Sequence, residues 1–218
     1  MISASHKFIF VHIPKTGGNS LQNSLKPYSE DRFTIKSDKQ DGIERFAVRH
    51  ENSDLLKHAS LEDYRCALAP AFFSAALKFT IVRNTWDRMI SRYFFKRSNP
   101  PYHEDDEKPA EIEFDPKRLL RIVKKRPNPV ASFICCEMPD GTRAPIAQHS
   151  IDRFIRFERL QADFDCVTSA LGIRPERLVQ RNASFHRPYF EYYTPALRDE
   201  IGRLYAEEIG YFDFRFGA

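Results

Sequence analysis

The chain has 218 residues, of which 42% are hydrophobic and 29% charged, and its formal net charge is +4. This length suits one large domain with a buried core, and the balance of apolar and charged residues excludes an intrinsically disordered chain. The small positive excess suits an anionic ligand but is too weak to indicate nucleic-acid binding, so we expect no nucleic-acid partner.

Cysteine spacing and hydropathy exclude further classes of protein. The four cysteines include no C-x-x-C pair, so we expect free thiols in a reducing compartment and no zinc site. The N-terminal apolar run is too short for a secretion signal, and no stretch approaches the length of a membrane span. We therefore expect a cytoplasmic protein without a transmembrane segment.

Strands and helices alternate along the first part of the chain. A short apolar run predicts a buried parallel strand over 7–13, and an i,i+4 leucine pair predicts a helix over 18–25. Alternating polarity predicts a strand over 43–50. A capping box at Ser60 predicts a helix through Leu68, which Pro70 would end.

The alternation continues with the clearest strand, over 77–83, and a helix capped by Asn84 or Thr85. An acidic, proline-containing surface loop is expected over 98–113. A basic helix is expected over 115–126, with a solvated cationic face.

The last third of the chain predicts one more strand and two more helices. The strand is expected over 151–158, and the helix after it is expected to end at Gly172. The final helix is expected to start at Thr194-Pro195 and to run to about Ile209. This order predicts an α/β fold with a mostly parallel central sheet in a single domain over 1–218. Residues 99–148 are expected to form a loop and helical insertion.

The stretch FIFVHIPKTGGNSLQNSL, residues 8–25, predicts a strand, a glycine turn and a helix start. Glycines at this place let the backbone approach a phosphate, and the helix N-terminus adds N–H donors and a positive dipole. Because Lys15 precedes Gly17 and Gly18, the turn does not match the G-x-x-x-x-G-K-[ST] signature. A tight turn with an exposed lysine remains an alternative interpretation.

A second anion-binding element is predicted in FTIVRNTWDRMISRYFF, residues 79–95. Arg83 ends a strand and Ser91 lies two helical turns further on. Both are therefore expected at the strand-end crevice where open α/β sheets bind ligands, and together they suit a second phosphate.

Together these segments resemble the carbohydrate-type sulfotransferases of the sulfotransferase 2 family, whose members include enzymes similar to heparan sulfate 2-O-sulfotransferase and small bacterial proteins. HIPKTGGNSL resembles the family's 5'-phosphosulfate loop, and VRNTWDRMISRY resembles its 3'-phosphate element, with Thr85 in place of the common proline. Weaker matches follow the family's order: KHASLEDYR, FIRFERLQADFDCVTSALGI and YYTPALRDEIGRLYAEEIGYFDF. The resemblance covers most of the chain.

The resemblance implies a P-loop-like three-layer fold and transfer of a sulfuryl group from 3'-phosphoadenosine 5'-phosphosulfate (PAPS), without a metal. It implies that Lys15 stabilises the leaving phosphate and that Arg83 and Ser91 hold the 3'-phosphate. It also implies that backbone N–H groups of the loop hold the 5'-phosphate; the loop residues are Thr16, Gly17, Gly18, Asn19 and Ser20.

A general base is needed for the acceptor hydroxyl, and a histidine suits this role near neutral pH. His58, in LKHASLEDY, matches the family position of a histidine before a short helix, and we expect it to be the base. His50 and an acidic residue remain alternatives. His12 is expected to pack in the first strand. The resemblance also suggests that Arg181 and Ser184 contact the nucleotide.

The acceptor is expected to be a hydroxyl of a carbohydrate or glycan, or of a small molecule. The absence of an anchor favours a bacterial-type cytoplasmic enzyme over the membrane-anchored relatives. Two other classes stay open at this point: a P-loop-type nucleotide kinase and a noncatalytic protein that binds 3'-phosphoadenosine 5'-phosphate (PAP). A kinase would require a G-K-[ST] sequence and an acidic magnesium ligand.

Overall fold

A computed structural model describes residues 1–35, 46–49, 55–98, 113–174, 176–179 and 186–218. The strands in this part of the chain are β1 (Ile2–Ser3), β2 (Phe8–Val11), β3 (Arg32–Ile35), β4 (Phe46–Arg49), β5 (Leu77–Val82) and β6 (Arg153–Arg156). The helices are α1 (Gly18–Leu25), α2 (Leu61–Ala67), α3 (Pro70–Ala75), α4 (Thr85–Ser98), α5 (Pro116–Lys125), α6 (Ala131–Ile134), α7 (Leu160–Ala170), α8 (Pro195–Leu204) and α9 (Ala206–Phe212).

The main sheet has the strand order β1-β2-β5-β6. Strands β2, β5 and β6 are parallel, whereas β1 adds an antiparallel edge. The predicted α/β fold with a mostly parallel sheet is therefore confirmed. Because the carboxyl ends of parallel strands meet at one edge of a sheet, the loops that follow β2 and β6 lie at that same edge.

The sheet is buried on both faces, as expected for parallel strands. On one face, Phe8, Phe10, Phe79 and Ile81 form a core with apolar side chains of α1 and α7. The other face is formed by residues such as Ile9 and Val82, which are also fully buried. This core fixes β2 and α1, and with them the loop between these two elements.

Several predicted elements differ in extent from the observed ones. Helix α2 ends at Ala67, one residue earlier than predicted. Pro70 is the first residue of the next helix, α3, a position that suits its fixed φ. The final helix does not continue to Ile209, because it breaks at Tyr205, whose hydroxyl donates to the carbonyl oxygen of Pro127. The predicted strand over 43–50 is represented by β4, which pairs with β3 in a separate antiparallel sheet.

By its internal contacts the chain forms two compact units, which we describe separately. The first consists of residues 1–82 and 130–182 and contains the main sheet, and the second consists of residues 83–129 and 183–218 and is helical. The proposed single domain and the insertion over 99–148 remain predictions. Residues 99–112, which include most of the acidic loop, lie outside the described residues.

The thiol state of the cysteines agrees with the prediction. All four cysteines are free, and Cys135 is buried, but Cys66 and Cys166 are exposed.

Candidate active site

The loop between β2 and α1 contains two residues with left-handed backbone conformation. Lys15 has φ 69° and Gly17 has φ 88°, and α1 begins directly afterwards at Gly18. A positive φ is uncommon for a residue with a side chain, and such residues cluster where a ligand is held. Left-handed residues at a helix start turn backbone N–H groups toward a common point, which is the geometry of an anion-binding concavity.

Close neighbours leave too little room for a side chain at either glycine of this loop. A Cβ atom on Gly18 would lie 2.3 Å from Cδ2 and Nε2 of His12, and one on Gly17 would lie 3.0 Å from the ring of Phe157. The two aromatic side chains therefore pack directly against the loop backbone, one from the end of β2 and one from the residue after β6. The loop is therefore held from two sides by these rings.

The side chains in the loop mainly hold it in place. The Thr16 hydroxyl is buried and donates to the carbonyl oxygen of Ile13 at 2.8 Å, and the backbone N–H of Ser20 donates to the Gly17 carbonyl oxygen at 3.1 Å. The Asn19 amide oxygen accepts from the ammonium of Lys57 at 2.5 Å. The Thr16 and Asn19 side chains and the Ser20 N–H are thus all bonded within the protein.

His12 and His58 form a pair beside this loop. His12 is buried at the end of β2, as its sequence position predicts, and its Nδ1 lies 3.0 Å from the Gln22 amide oxygen. The Nδ1 of His58 lies 2.8 Å from the His12 carbonyl oxygen, and the two rings meet edge to face with centroids 4.7 Å apart. Because a carbonyl oxygen only accepts, His58 carries its hydrogen on Nδ1 and leaves Nε2 as a neutral base.

The surroundings keep both histidines uncharged near neutral pH. Burial lowers the pKa of His12 well below its ordinary value, and the nearby His58 and Lys57 lower it further. Desolvation of the ring lowers the pKa of His58 to about 4, and the charges of Lys57 and Lys15 add to this effect. His58 is nevertheless a solvent-exposed residue, so its ring remains reachable.

In the helical unit, Arg83 forms an ion pair with Asp87, which lies one helical turn further along the chain. Its Nε and Nη2 donate to the two carboxylate oxygens of Asp87 at 2.7 and 2.9 Å, and both Arg83 and Ser91 are largely buried. Such a bidentate pair fixes the plane of the guanidinium group. Asn84 caps α4, because its side-chain oxygen accepts from the backbone N–H of Trp86 at 3.2 Å.

The arginine that follows Asp87 has a different role. Arg88 is 2% exposed and donates to Glu208, which is equally buried and also accepts from the Thr85 hydroxyl at 2.6 Å. A second donor group of Arg88 bonds the carbonyl oxygen of Asn128 at 3.0 Å. This buried cluster ties the first turn of α4 to α9 and gives the Thr85 hydroxyl a buried acceptor.

Some predicted site residues lie outside the described residues, namely Arg181, Ser184 and the alternative base His50. Conversely, the sequence reasoning missed Lys57 and Phe157. Lys57 is the immediate neighbour of the expected base, and a cation next to a base could have indicated a site residue. Phe157 follows a strand but has no local feature that points to the loop.

The fold and loop together define an α/β protein with a positive-φ glycine loop beside a neutral histidine. Among the described residues, no group of three or more His, Cys, Asp or Glu side chains is placed to hold a metal ion, and no helix is long and apolar enough to cross a membrane. The model of the Sulfotransferase family matches residues 1–215, and the chain belongs to this family. No curated protein and no solved structure matches it.

Proposed function

We propose that this protein transfers a sulfuryl group from PAPS to a hydroxyl group, with a carbohydrate as the acceptor class that the family resemblance suggests. Membership of the family supports sulfuryl transfer in general. The observation that carries the more specific proposal is the pairing of the glycine loop with His58, whose neutral Nε2 is produced by the bond from Nδ1 to the His12 carbonyl oxygen.

The donor fits the loop chemically. The positive-φ turn at Lys15 and Gly17, the N-terminus of α1 and the cation Lys15 favour a phosphate group that carries negative charge. In the second unit, Arg83 would hold the 3'-phosphate with a guanidinium group oriented by Asp87, together with Ser91. The nucleotide contacts of Arg181 and Ser184 are part of the same proposal.

The chemical step requires two contributions from the protein. His58 Nε2 takes the proton of the acceptor hydroxyl while the acceptor oxygen forms a bond to sulfur. The bond between sulfur and the oxygen of the 5'-phosphate breaks, and its electron pair stays on that oxygen. Lys15 and the loop N–H groups stabilise the negative charge that grows there, which is electrostatic catalysis by groups already in position.

The test is transfer of radiolabelled sulfate from PAPS to a panel of glycan and small-molecule acceptors. We expect transfer by the wild-type protein, a steep loss in Lys15→Ala, and retention of activity in EDTA, because a lysine does here what magnesium does in kinases. Tight PAP binding without transfer to any acceptor would favour the noncatalytic alternative. An absolute requirement for added magnesium would favour the kinase.

A further inference from the structure

Helix α5 of the helical unit presents a dense group of positive charges to solvent. Its sequence, PKRLLRIVKK, contains five lysines and arginines and no acidic residue. With 3.6 residues per turn, their side chains fall within about 120° of the helix circumference. All five residues are exposed, whereas Leu119 and Val123 on the opposite face are fully buried. We call these residues the cationic stripe: Lys117, Arg118, Arg121, Lys124 and Lys125.

The helix that carries the stripe is anchored at both ends. At its start, the Asp115 side chain accepts from the N–H of Lys117 at 2.9 Å, and the N–H of Asp115 donates to the Tyr93 hydroxyl of α4 at 2.9 Å. Just beyond its end, the carbonyl oxygen of Pro127 accepts from the Tyr205 hydroxyl. The apolar face of α5 is already packed in the protein, so a partner can contact its charges without unfolding it.

The stability of the helix does not account for these charges. The helix dipole disfavours cations in the first turn, yet Lys117 and Arg118 lie there and no acidic residue accompanies them. Lys117, Arg121 and Lys125 follow one another at i,i+4 spacing, at which like charges repel. Only the last turn, with Lys124 and Lys125, lies where the dipole favours a cation. The stripe as a whole therefore favours a partner that brings negative charge.

Exposed arginines elsewhere in the helical unit have acidic partners, whereas most of the stripe does not. Carboxylate oxygens lie 2.8 to 3.3 Å from the guanidinium groups of Arg187, Arg198, Arg203 and Arg215. In the stripe, only Lys124 has such a partner within the described part of the chain, Glu200 at 2.8 Å. The positive charge of α5 is thus largely unneutralised by the described residues.

We propose that the cationic stripe binds the surface of a membrane that contains anionic lipids and holds the protein there. Clusters of four to eight Lys and Arg on an amphipathic helix are typical of attraction to anionic lipids. The helix has no hydroxyl, amide or aromatic side chain, the groups with which proteins recognise individual bases or small ligands, and a lipid surface requires only charge. The binding is electrostatic and peripheral, because Leu119 and Val123 stay buried in the protein. The proposal is independent of the proposed function.

The test is co-sedimentation of the protein with lipid vesicles. We expect it to bind vesicles of an equimolar mixture of phosphatidylcholine and phosphatidylserine, and not vesicles of phosphatidylcholine alone. Raising the salt concentration from about 0.1 M to about 1 M shortens the screening length from about 10 Å to about 3 Å and should release the protein.

A triple variant, Lys117→Gln with Arg121→Gln and Lys125→Gln, assigns the binding to α5. Each cation near an anionic surface contributes about five-fold in affinity, so we expect the variant to bind the anionic vesicles about 100-fold more weakly. The matched control is Arg198→Gln with Arg203→Gln and Arg215→Gln, which removes the same charge from paired positions of the same unit. It should change the affinity by less than about three-fold.

Thermal unfolding without vesicles separates this role from a structural one. Because the three residues replaced in α5 repel one another, the melting temperature of the variant should be unchanged or higher. A clear decrease would show that the cations stabilise the fold, and it would overturn the argument from helix stability.

Equal binding of the wild-type protein to both kinds of vesicle, or equal weakening in the two triple variants, would overturn the proposal. Heparin and duplex DNA serve as soluble polyanions in a parallel binding assay. Binding to either one that depends on the stripe, without binding to the anionic vesicles, would assign the surface to a polyanionic chain and overturn the membrane role.

Discussion

The ring of His58 is bonded through Nδ1 to the backbone carbonyl oxygen of His12, at 2.8 Å. His12 is the residue directly after β2, and its own ring packs against Gly18 at the start of α1. The expected base and the expected phosphate loop are therefore positioned by the same residue. This relationship leads to predictions about chemistry, about pH and about the stability of the loop.

Replacing His58 by alanine should affect the chemical step and not donor binding. The base contacts the acceptor hydroxyl, so we expect turnover to fall about 10²–10⁴-fold while the affinity for PAP stays within about two-fold. Steady-state kinetics and calorimetry measure the two quantities. His50→Ala provides the comparison: a large loss of turnover in that variant, with His58→Ala unaffected, would identify His50 as the base, and no loss in either would point to an acidic residue.

The pH dependence should reflect the depressed pKa of His58. Its pKa lies at about 4 in the free protein, mainly through desolvation, so the neutral form that can accept a proton is lost only as the pH falls toward 4. The profile of kcat/KM, which reports the free enzyme, should therefore show no histidine limb between about pH 5.5 and 7.5. A limb near the ordinary histidine pKa of about 6.5 would contradict the crowded environment of the ring.

Donor binding should move this pKa in the opposite direction. The phosphates of PAP bring negative charge to a ring that now faces Lys57 and Lys15, and negative charge favours the protonated imidazole. NMR titration of the His58 ring should show a higher pKa with saturating PAP than without it. Saturating adenosine, which carries no phosphate, is the control and should cause no comparable shift.

Gly18→Ala tests the packing between the loop and His12. The added methyl group would lie 2.3 Å from the buried ring, so either the ring or the start of α1 must move. Overpacking of this kind costs about 1–3 kcal/mol in the free energy of unfolding, and we expect PAP affinity to fall as well. Denaturant unfolding and calorimetry provide the measurements.

The matched variant for this experiment is Gly210→Ala. Gly210 lies inside α9, and a Cβ there would meet nothing within 4 Å. Because alanine is the better helix former, this substitution should leave stability unchanged or raise it by up to about 1 kcal/mol. Equal effects of the two substitutions on the free energy of unfolding would show that the contact between Gly18 and His12 does not limit the size of residue 18.

The preference for PAP over 5'-AMP tests the 3'-phosphate site that we propose at Arg83. We expect PAP to raise the melting temperature much more than 5'-AMP, and Arg83→Ala to remove most of this difference, since a charge-assisted bond is worth roughly 1.5–3 kcal/mol. Asp87→Asn should reduce the difference less, because the guanidinium group keeps its charge but loses its bidentate partner. Equal stabilisation of the wild-type protein by PAP and AMP would contradict a site for two phosphates.

Local sequence signals predicted the elements whose determinants are local. The apolar run of β2, the leucine pair of α1 and the caps at Ser60 and Thr194 all correspond to observed elements. The two-residue strand β1 was missed because it is defined by its pairing with β2, and the break at Tyr205 was missed because no glycine or proline marks it. Long-range contacts decide such features, and a single sequence does not display them.

The same distinction applies to the candidate site. Lys15, the two glycines and Arg83 were predicted from contiguous motifs, whereas Lys57 lies 38 residues along the chain from its partner Asn19. The bond between His58 and the His12 carbonyl oxygen spans 46 residues. The sequence therefore suggested which residues belong to the site, and only the folded chain shows which partners set their protonation and orientation.

The contact between His12 and Gly18 makes the sizes of these two residues interdependent. A side chain can be accommodated at position 18 only if the ring at position 12 becomes smaller, and the backbone carbonyl group that holds His58 would persist after such an exchange. Among homologues, we expect the volumes at these two positions to covary inversely, with the histidine at position 58 unchanged. We therefore expect the ring of His12 to vary among homologues, but not the position of its carbonyl group.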